Sequence, residues 1–313
     1  PVSVLCGEGL FSCLCLARNQ AHVVITGTEE GCLLLWDLRE PASEGLHCGI
    51  RAPTYITAGG DGRGEDGGLS KARYGHSSKV VSVVAIPSPT GGVGMNGGGG
   101  GIGGMISLGD ACSFQVASLD DRGTVSIWLA SEVPRGDEGG SQTDLGLSPG
   151  GRVRLALSKA LRPGDQPSLA VAVRAGGGDA LAFSPEDPNR FLIGDSSDRV
   201  THASRLGKPP PPRAYGPPRR PGELTCLAFS PFFPKYFLAG CGDGSVRLYN
   251  VSSYTRNCGS SSSWPAAISS LAWSEHRPAV FFALDVLGMV HAFDVLEDDA
   301  GPVASEGCPD ASV

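Results

Sequence analysis

The feature that most constrains this chain is a cadence that recurs along it. Each copy has an alternating apolar strand, a second apolar strand, a Gly/Asp turn, and a third strand. The third strand ends in an aromatic residue followed by an acid or amide. The clearest copy is Leu224–Asn250, reading LTCLAFSP, KYFLAG and CGDGSVRLYN. Ile268–Asp294 repeats it as ISSLAWSE, AVFFALD and VLGMVHAFD. Near the start, LFSCLCL, HVVITG and TEEGCLLLWD keep the same order, and so do VVSVVAIP, FQVASLD and DRGTVSIW in the middle. A weaker copy runs ALAFSPED, RFLIGD and SSDRVTHAS. Short alternating runs closed by turn residues are strands. Self-similarity at a fixed period sets the architecture before any single residue does.

The third strands end at Trp36, Trp128, about Ala203, Tyr249 and Phe293. The last two spacings, 46 and 44 residues, match the WD-type repeat of roughly 40–45. The first two, 92 and 75 residues, are longer. Their excess reads as loop. Residues 91–104 are nearly all glycine and read as a disordered insertion. Residues 131–151 are polar and Gly-rich. Residues 208–221, KPPPPRAYGPPRRP, favour polyproline II. Gly and Pro together, 46 and 24 of 313 residues, fit a chain that turns often and holds few long helices.

The expectation is an all-β, WD40-type β-propeller with about five blades visible. It is read as one domain over 1–313, with blade cores near 10–58, 80–158, 179–215, 223–264 and 267–304. One blade cannot bury both of its faces alone, and stacking blades does so. Length divided by the repeat period would fit seven blades, and the insertions consume the difference.

WD repeats lock a blade with a hydrogen-bonded set: Gly-His before the first strand, Ser or Thr on the second, Asp in the turn, Trp on the third. Buried polar atoms must be paired, so the set has structural weight. Here Gly75-His76 precedes Val80, Ser118 lies on a second strand and Trp128 ends the third. Trp36 and Tyr249 end the third strands of other blades. The turn position six before the aromatic holds Arg122 in one blade and Asp243 in another, so no blade is expected to carry the whole set. These residues read as structural.

Other motifs fail on their chemistry. Gly92–Gly97 matches G-x-G-x-x-G, but no helix opens after it. Gly146–Gly150 matches G-x-S-x-G, yet Pro149 follows the serine and has no N–H for an oxyanion hole. Cys13 and Cys15 face one side of a strand without the further ligands zinc needs. Glu297-Asp298-Asp299 reads as solvated loop. No catalytic, cofactor-binding or metal-binding residue is expected. The Pro/Arg stretch could meet an SH3-type groove or an acidic partner; a stiff inter-blade loop is the plainer reading. Phe232 and Phe233 are candidate contact residues in a blade loop.

The formal net charge of −7 argues against nucleic acid as the main partner. No apolar run approaches a membrane span; the longest, Val80 to Ile86, contains Ser82. No leader peptide is visible, and the start at Pro1 reads as a fragment or processed product. Ten cysteines are too sparse for a disulfide scaffold, and most sit in apolar runs as small hydrophobes of a reducing compartment.

Five blocks carry a more specific resemblance. They are HVVITGTEEGCLLLWDLRE (His22–Glu40), DLGLSPGGRVRL (Asp144–Leu155), FLAGCGDGSVRLYNVSS (Phe237–Ser253), RPAVFFALD (Arg277–Asp285) and VLEDDAGPVA (Val295–Ala304). In collinear order they resemble the intermediate chains of cytoplasmic dynein 2, the retrograde motor of intraflagellar transport. Within that family they resemble the larger type, which has a long N-terminal arm. The resemblance implies a seven-bladed propeller at the C-terminal end of a longer protein, with at least one further blade after Val313. It implies a non-catalytic scaffold that docks on the dynein 2 heavy-chain tail and supports retrograde transport and cilium assembly. The second intermediate chain and the light chains would be held by regions outside this chain, and transport trains are a further implied partner. The implied location is the cilium or flagellum, its basal body and the cytoplasm, on the cytoskeleton. Heavy-chain contact residues are not assigned. The alternative is a WD-repeat adaptor of another complex.

Overall fold

The computed structural model describes residues 4–17, 20–40, 49–58, 75–87, 113–133, 146–164, 169, 178–197, 199–208, 211–215, 223–252, 266–297 and 301–307. The insertion at 91–104 and most of 254–264 lie outside the described residues, as do Cys48, Cys112, Cys258 and Cys308.

The first blade follows a short strand, β1 (Val4–Leu5). It holds β2 (Phe11–Leu16), β3 (Val23–Thr28) and β4 (Leu33–Asp37). Then β5 (Ile50–Arg51) pairs in parallel with β1, and β6 (Tyr55–Ile56) completes the blade on β4. The second blade is β7 (Val80–Ala85), β8 (Phe114–Asp120), β9 (Val125–Glu132) and β10 (Val153–Leu161). The third is β11 (Gly178–Phe183), β12 (Arg190–Asp195), β13 (Val200–Ser204) and β14 (Ala214–Tyr215). The fourth shows β15 (Leu224–Phe229), β16 (Tyr236–Cys241) and β17 (Val246–Asn250). The fifth is β18 (Ile268–Trp273), β19 (Val280–Asp285), β20 (Met289–Asp294) and β21 (Ala304–Gly307). Within each blade the strands are antiparallel neighbours in chain order. This is an all-β, five-blade propeller arrangement of WD40 type among the described residues. The Pro/Arg stretch is not all loop: its Ala214 and Tyr215 pair with Thr201 and Val200 as the outer strand of the third blade.

Second and third strands are apolar on both faces because they lie mid-blade, and β3 and β4 are buried at every residue. The apolar clusters lie between blades. Ile25, Leu33 and Leu35 of the first blade meet Val80, Val116 and Trp128 of the second. Leu119 and Ile127 then meet Leu181 and Phe191. Leu192 and Tyr215 meet Leu224, Phe237 and Tyr249, and Leu238 and Val246 meet Ile268, Phe281 and Phe293. Aromatic residues on third strands stack on their cross-strand partners: Tyr249 on Phe237 at 5.2 Å, Phe293 on Phe281 at 4.7 Å.

One construction repeats at the joints. Every first strand bulges at its second residue, so that Ser12, Val81, Asp179, Thr225 and Ser269 each stand out of the ladder. Just past the bulge the first strand faces Gly27, Leu119, Gly194, Gly240 and Leu284 on its second strand. The glycines make room for the next blade. A Cβ on Gly27 would lie 2.6 Å from Val80, and one on Gly240 2.9 Å from Ile268. One on Gly194 would lie 3.3 Å from Leu224. Val80, Leu224 and Ile268 are each the first residue of the next blade's first strand. Between the second and third blades the sizes are exchanged: Leu119 stands at the glycine position and Gly178 opens the next strand.

Gly240→Val should therefore lower stability by about 1–3 kcal/mol through overpacking, read from urea midpoints of the purified protein. Gly164→Ala, where a Cβ meets nothing within 4 Å, should stay within about 0.5 kcal/mol of the parent. Equal losses at both positions would refute the joint description.

Candidate functional site

The richest polar constellation is in the second blade. His76 and Ser118 are buried, and Trp128 beneath them is fully covered. Trp128 Nε1–H donates to Ser118 Oγ at 2.8 Å. Ser118 Oγ lies 2.6 Å from His76 Nε2, and His76 Nδ1 lies 3.0 Å from Asp120 Oδ2. Tryptophan can only donate and a carboxylate can only accept, so both ends of the line are fixed. Trp128 gives to Ser118, the Ser118 hydroxyl bonds His76 Nε2, and His76 gives from Nδ1 to Asp120. Asp120 Oδ1 accepts the Thr124 N–H at 2.7 Å, which fixes the turn after β8. The chain also ties two blades together, because the His76 backbone N–H donates to Gly31 O in the turn after β3. Gly31 has φ +86°, and a Cβ there would run into His76 O.

This corrects the sequence expectation that no blade carries the whole set. The aspartate sits eight residues before the aromatic, not six, because it closes the second strand. The same position holds Thr28, Asp195, Cys241 and Asp285 in the other blades. Thr28, Asp195 and Asp285 each accept the N–H four residues on, from Cys32, Arg199 and Met289. Asp120 was missed for that reason, although its place at the end of FQVASLD was legible.

Asp243, the aspartate expected from the sequence, serves its turn differently. Its Oδ1 accepts the Ser245 N–H at 2.9 Å and the Ser245 hydroxyl at 2.6 Å, and Arg247 Nη2 lies 3.6 Å from Oδ2. Burial opposes its ionisation, but Ser245 and Arg247 outweigh that and hold its carboxyl below the usual range. Trp36 is buried and donates from Nε1 to Arg51 O at 3.2 Å, with Phe11 edge-on at 5.9 Å. Tyr249 is buried among Phe237 and Tyr215. The structure thus brings His76, Ser118 and Trp128 together, while Trp36 lies in the first blade and Asp243 and Tyr249 in the fourth. The fifth blade has its own histidine set, which the sequence did not suggest. His291 lies 2.8 Å from Ser305 Oγ through Nδ1 and 3.3 Å from Asp285 Oδ2 through Nε2.

The serine of the G-x-S-x-G match is occupied. Ser148 Oγ donates to Pro53 O at 2.6 Å and its N–H to Thr54 O, so this turn docks the second blade on the first. A second tie lies nearby: Arg39 Nη2 reaches Asp37 at 2.7 Å and Glu132 at 2.6 Å. A cavity of about 210 Å³ opens beside these ties, lined by Trp36, Asp37, Glu40, Arg51 and Ser148. Among the described residues, no group of three or more His, Cys, Asp or Glu is placed to hold a metal ion. No described helix is long and apolar enough to cross a membrane.

Exposed apolar residues occur at both ends of the blades, Val286 and Leu287 among them in the turn between β19 and β20. Loops from first to second and from third to fourth strands leave a blade at one end, and there Leu206, Phe232, Phe233 and Leu296 are exposed. On the sides that neighbours cover at the four joints, Leu14 and Leu16 of the first blade and Phe282 of the fifth are exposed.

Comparison with known proteins follows the same architecture. No family model matches the chain. It is 32% identical over 331 residues to cytoplasmic dynein 2 intermediate chain 1 of Mus musculus, covering 98% of this chain and 31% of that protein. The Homo sapiens counterpart is 33% identical over 332 residues, covering 98% and 29%. Ciliary dynein intermediate chain 3 of Heliocidaris crassispina is 27% identical over 127 residues, covering 40% and 21%. The chain spans less than a third of the length of the curated dynein 2 relatives it matches. The resemblance read from the five sequence blocks holds across nearly the whole chain.

Two outcomes are expected. His76→Ala should cost about 3–5 kcal/mol, since it strands a buried carboxylate, whereas Asp243→Ala in its half-exposed turn should cost about 1 kcal/mol. Urea midpoints check both, and an equal cost would remove the privileged place of the His76 chain. In thiol alkylation at pH 8, exposed Cys6 should label first among the described cysteines. Cys226 should lag far behind, because burial pushes its thiol up to about 11.

Proposed function

We propose that this chain, homologous to the cytoplasmic dynein 2 intermediate chains over nearly its whole length, serves as the propeller of a dynein motor subunit. The homology supports a motor-subunit role that is not itself catalytic, with dynein and the cytoskeleton as its setting. The finer reading is a scaffold that docks on the dynein 2 heavy-chain tail and supports retrograde intraflagellar transport and cilium assembly. Location at the cilium or flagellum and its basal body belongs to the same reading. The match over 98% of the chain carries it.

The mechanism is rigid presentation. Locked blades spend their polar groups internally, as the His76 chain and the Ser148 hydroxyl do. What remains for a partner is shape and exposed apolar surface. Phe232 and Phe233 are exposed in the loop between the first and second strands of the fourth blade, and Leu206 and Leu296 in the third-to-fourth-strand loops of the third and fifth. Large apolar anchors with a polar surround suit the docking of a helical tail segment. The uncovered sides of the first and fifth blades support a longer protein in which further blades complete a seven-bladed ring. The second intermediate chain and the light chains then belong to its other regions.

Co-expression of the full-length protein with a dynein 2 heavy-chain tail, followed by size-exclusion chromatography with mass analysis, tests the reading. Co-elution at fixed stoichiometry is expected. Joint substitution of Phe232→Ser and Phe233→Ser should weaken capture at least about tenfold while leaving the melting temperature unchanged. A folded protein that elutes alone would move the assignment to a WD-repeat adaptor of another complex.

A further inference from the structure

Two joints are closed by a hydroxyl that crosses from one blade to the next. Ser12 Oγ donates to Val80 O, and Thr225 Oγ1 donates to Ile268 O. Both donors are the bulge residues of their first strands, and both acceptors are the first residues of the next blade's first strand. The joint between the second and third blades has Val81 at the bulge and so no side-chain donor there; where the bulge residue carries a hydroxyl, it meets the next blade's carbonyl.

In the third blade the bulge residue is Asp179, and the residue in the acceptor's place is Leu224. An ionised carboxylate has no proton to give to a carbonyl. Asp179 Oδ2 is buried and has no hydrogen-bond partner. Beside the bulge stands Asp195, whose register partner is Gly178. Asp195 is fully buried; its Oδ1 accepts from Ser197 N–H, Ser197 Oγ–H and Arg199 N–H, while its Oδ2 is also without a partner. Among the described residues, the charged groups that act on Asp179 are Glu223 ahead of β15, Asp195 at the end of β12 and Asp121 in the turn after β8. All three are acids. Two neighbouring orphan carboxylate oxygens, with only acids acting on Asp179 among the described residues, disfavour an ionised pair in this site.

We propose that the Asp179 carboxyl, when it holds its proton, donates it to Leu224 O, so that the joint between the third and fourth blades closes on protonation and loosens on ionisation. The carboxyl takes the place of the Ser12 and Thr225 hydroxyls. When it ionises, its proton goes to solvent and the joint is left with carboxylate against carbonyl. Desolvation by burial, then repulsion from Glu223, Asp195 and Asp121, pushes this carboxyl from 3.8 up to about 6. A raised carboxyl stabilises fully below the unfolded value and loses that contribution as pH rises through the folded one. The window therefore runs upward from about pH 4 through pH 6.

Hydrogen-exchange mass spectrometry of the full-length protein tests this, on peptides spanning β11 and β15, at pH 5.0 and 7.5 with intrinsic rates divided out. Buried His202 on β13, whose own pKa burial lowers, contributes in the opposite direction. The readout is therefore the ratio of protection in the parent to that in Asp179→Asn, which keeps His202. That ratio should fall about tenfold between the two pH values. Asp179→Ser, which restores the hydroxyl of the Ser12 and Thr225 joints, should follow Asp179→Asn. A flat ratio across the window overturns the proposal, and Asp179→Asn alone decides it if the serine variant fails to fold.

Discussion

A blade of this protein has two apolar faces and no way to cover either by itself, so everything else depends on the joint between blades. The joint is a small mechanical device. A bulge turns the start of the first strand outward, a gap opens on the second strand, and the opening residue of the next blade fills it. Glycine makes the gap at Gly27, Gly194 and Gly240, and Val80, Leu224 and Ile268 fill it. Leu119 with Gly178 shows that the summed volume matters rather than the residue at either place. Close packing makes such a pair sensitive to single methyl groups, which is why short repeats with little sequence in common can still share one geometry.

The polar lock is a separate device layered on the joint, and one blade carries it in full. In the second blade a line of donors from Trp128 through Ser118 and His76 to Asp120 satisfies four buried groups at once. Alanine stands at the serine position as Ala239 and Ala283 in the fourth and fifth blades. There, stacked pairs such as Phe237 with Tyr249 hold second and third strands together instead. A hydrogen-bonded line and an aromatic stack are alternative answers to one demand, because a buried hydroxyl without its histidine would be left unpaired. Thr26 marks that cost: it holds the serine position of the first blade and its hydroxyl is buried without a partner.

The propeller was legible in the sequence because its signals are local. Alternation, turn glycines and terminal aromatics each occupy a few consecutive residues, and KYFLAG or FFALD announces a buried second strand by composition alone. His76, Ser118 and Trp128 could be nominated by spacing for the same reason. Asp120 is passed over when the turn position is counted back from the aromatic to Arg122, whereas the inward-turned acid is the last residue of β8. The bulge register was invisible for a different reason. Ser12, Asp179 and Thr225 share a role fixed by the next blade, tens of residues away, and by nothing in their own neighbourhoods. The strand within the Pro/Arg stretch was hidden likewise, since Ala214 and Tyr215 pair through partners on β13.

The joints are unequal in chemistry, and that inequality gives the propeller a direction. Between the first and second blades the ties multiply: the Ser12 hydroxyl, the His76 N–H on Gly31, the Ser148 turn on Pro53 and the Arg39 bridge to Glu132. Several cross-links at one boundary must open together, so this boundary is the stiff one. Between the third and fourth blades, the bulge residue and its neighbour across the ladder are both acids with an orphan oxygen. Among the described residues the Tyr215 hydroxyl donates to Val251 O across that boundary, and the bulge there adds a penalty for being charged, which makes this joint more compliant than the first. The exposed Phe232 and Phe233 lie in the blade just beyond it. A propeller built this way is cross-linked most heavily at its first joint, while the exposed Phe232 and Phe233 sit in the blade beside the joint proposed to loosen on ionisation.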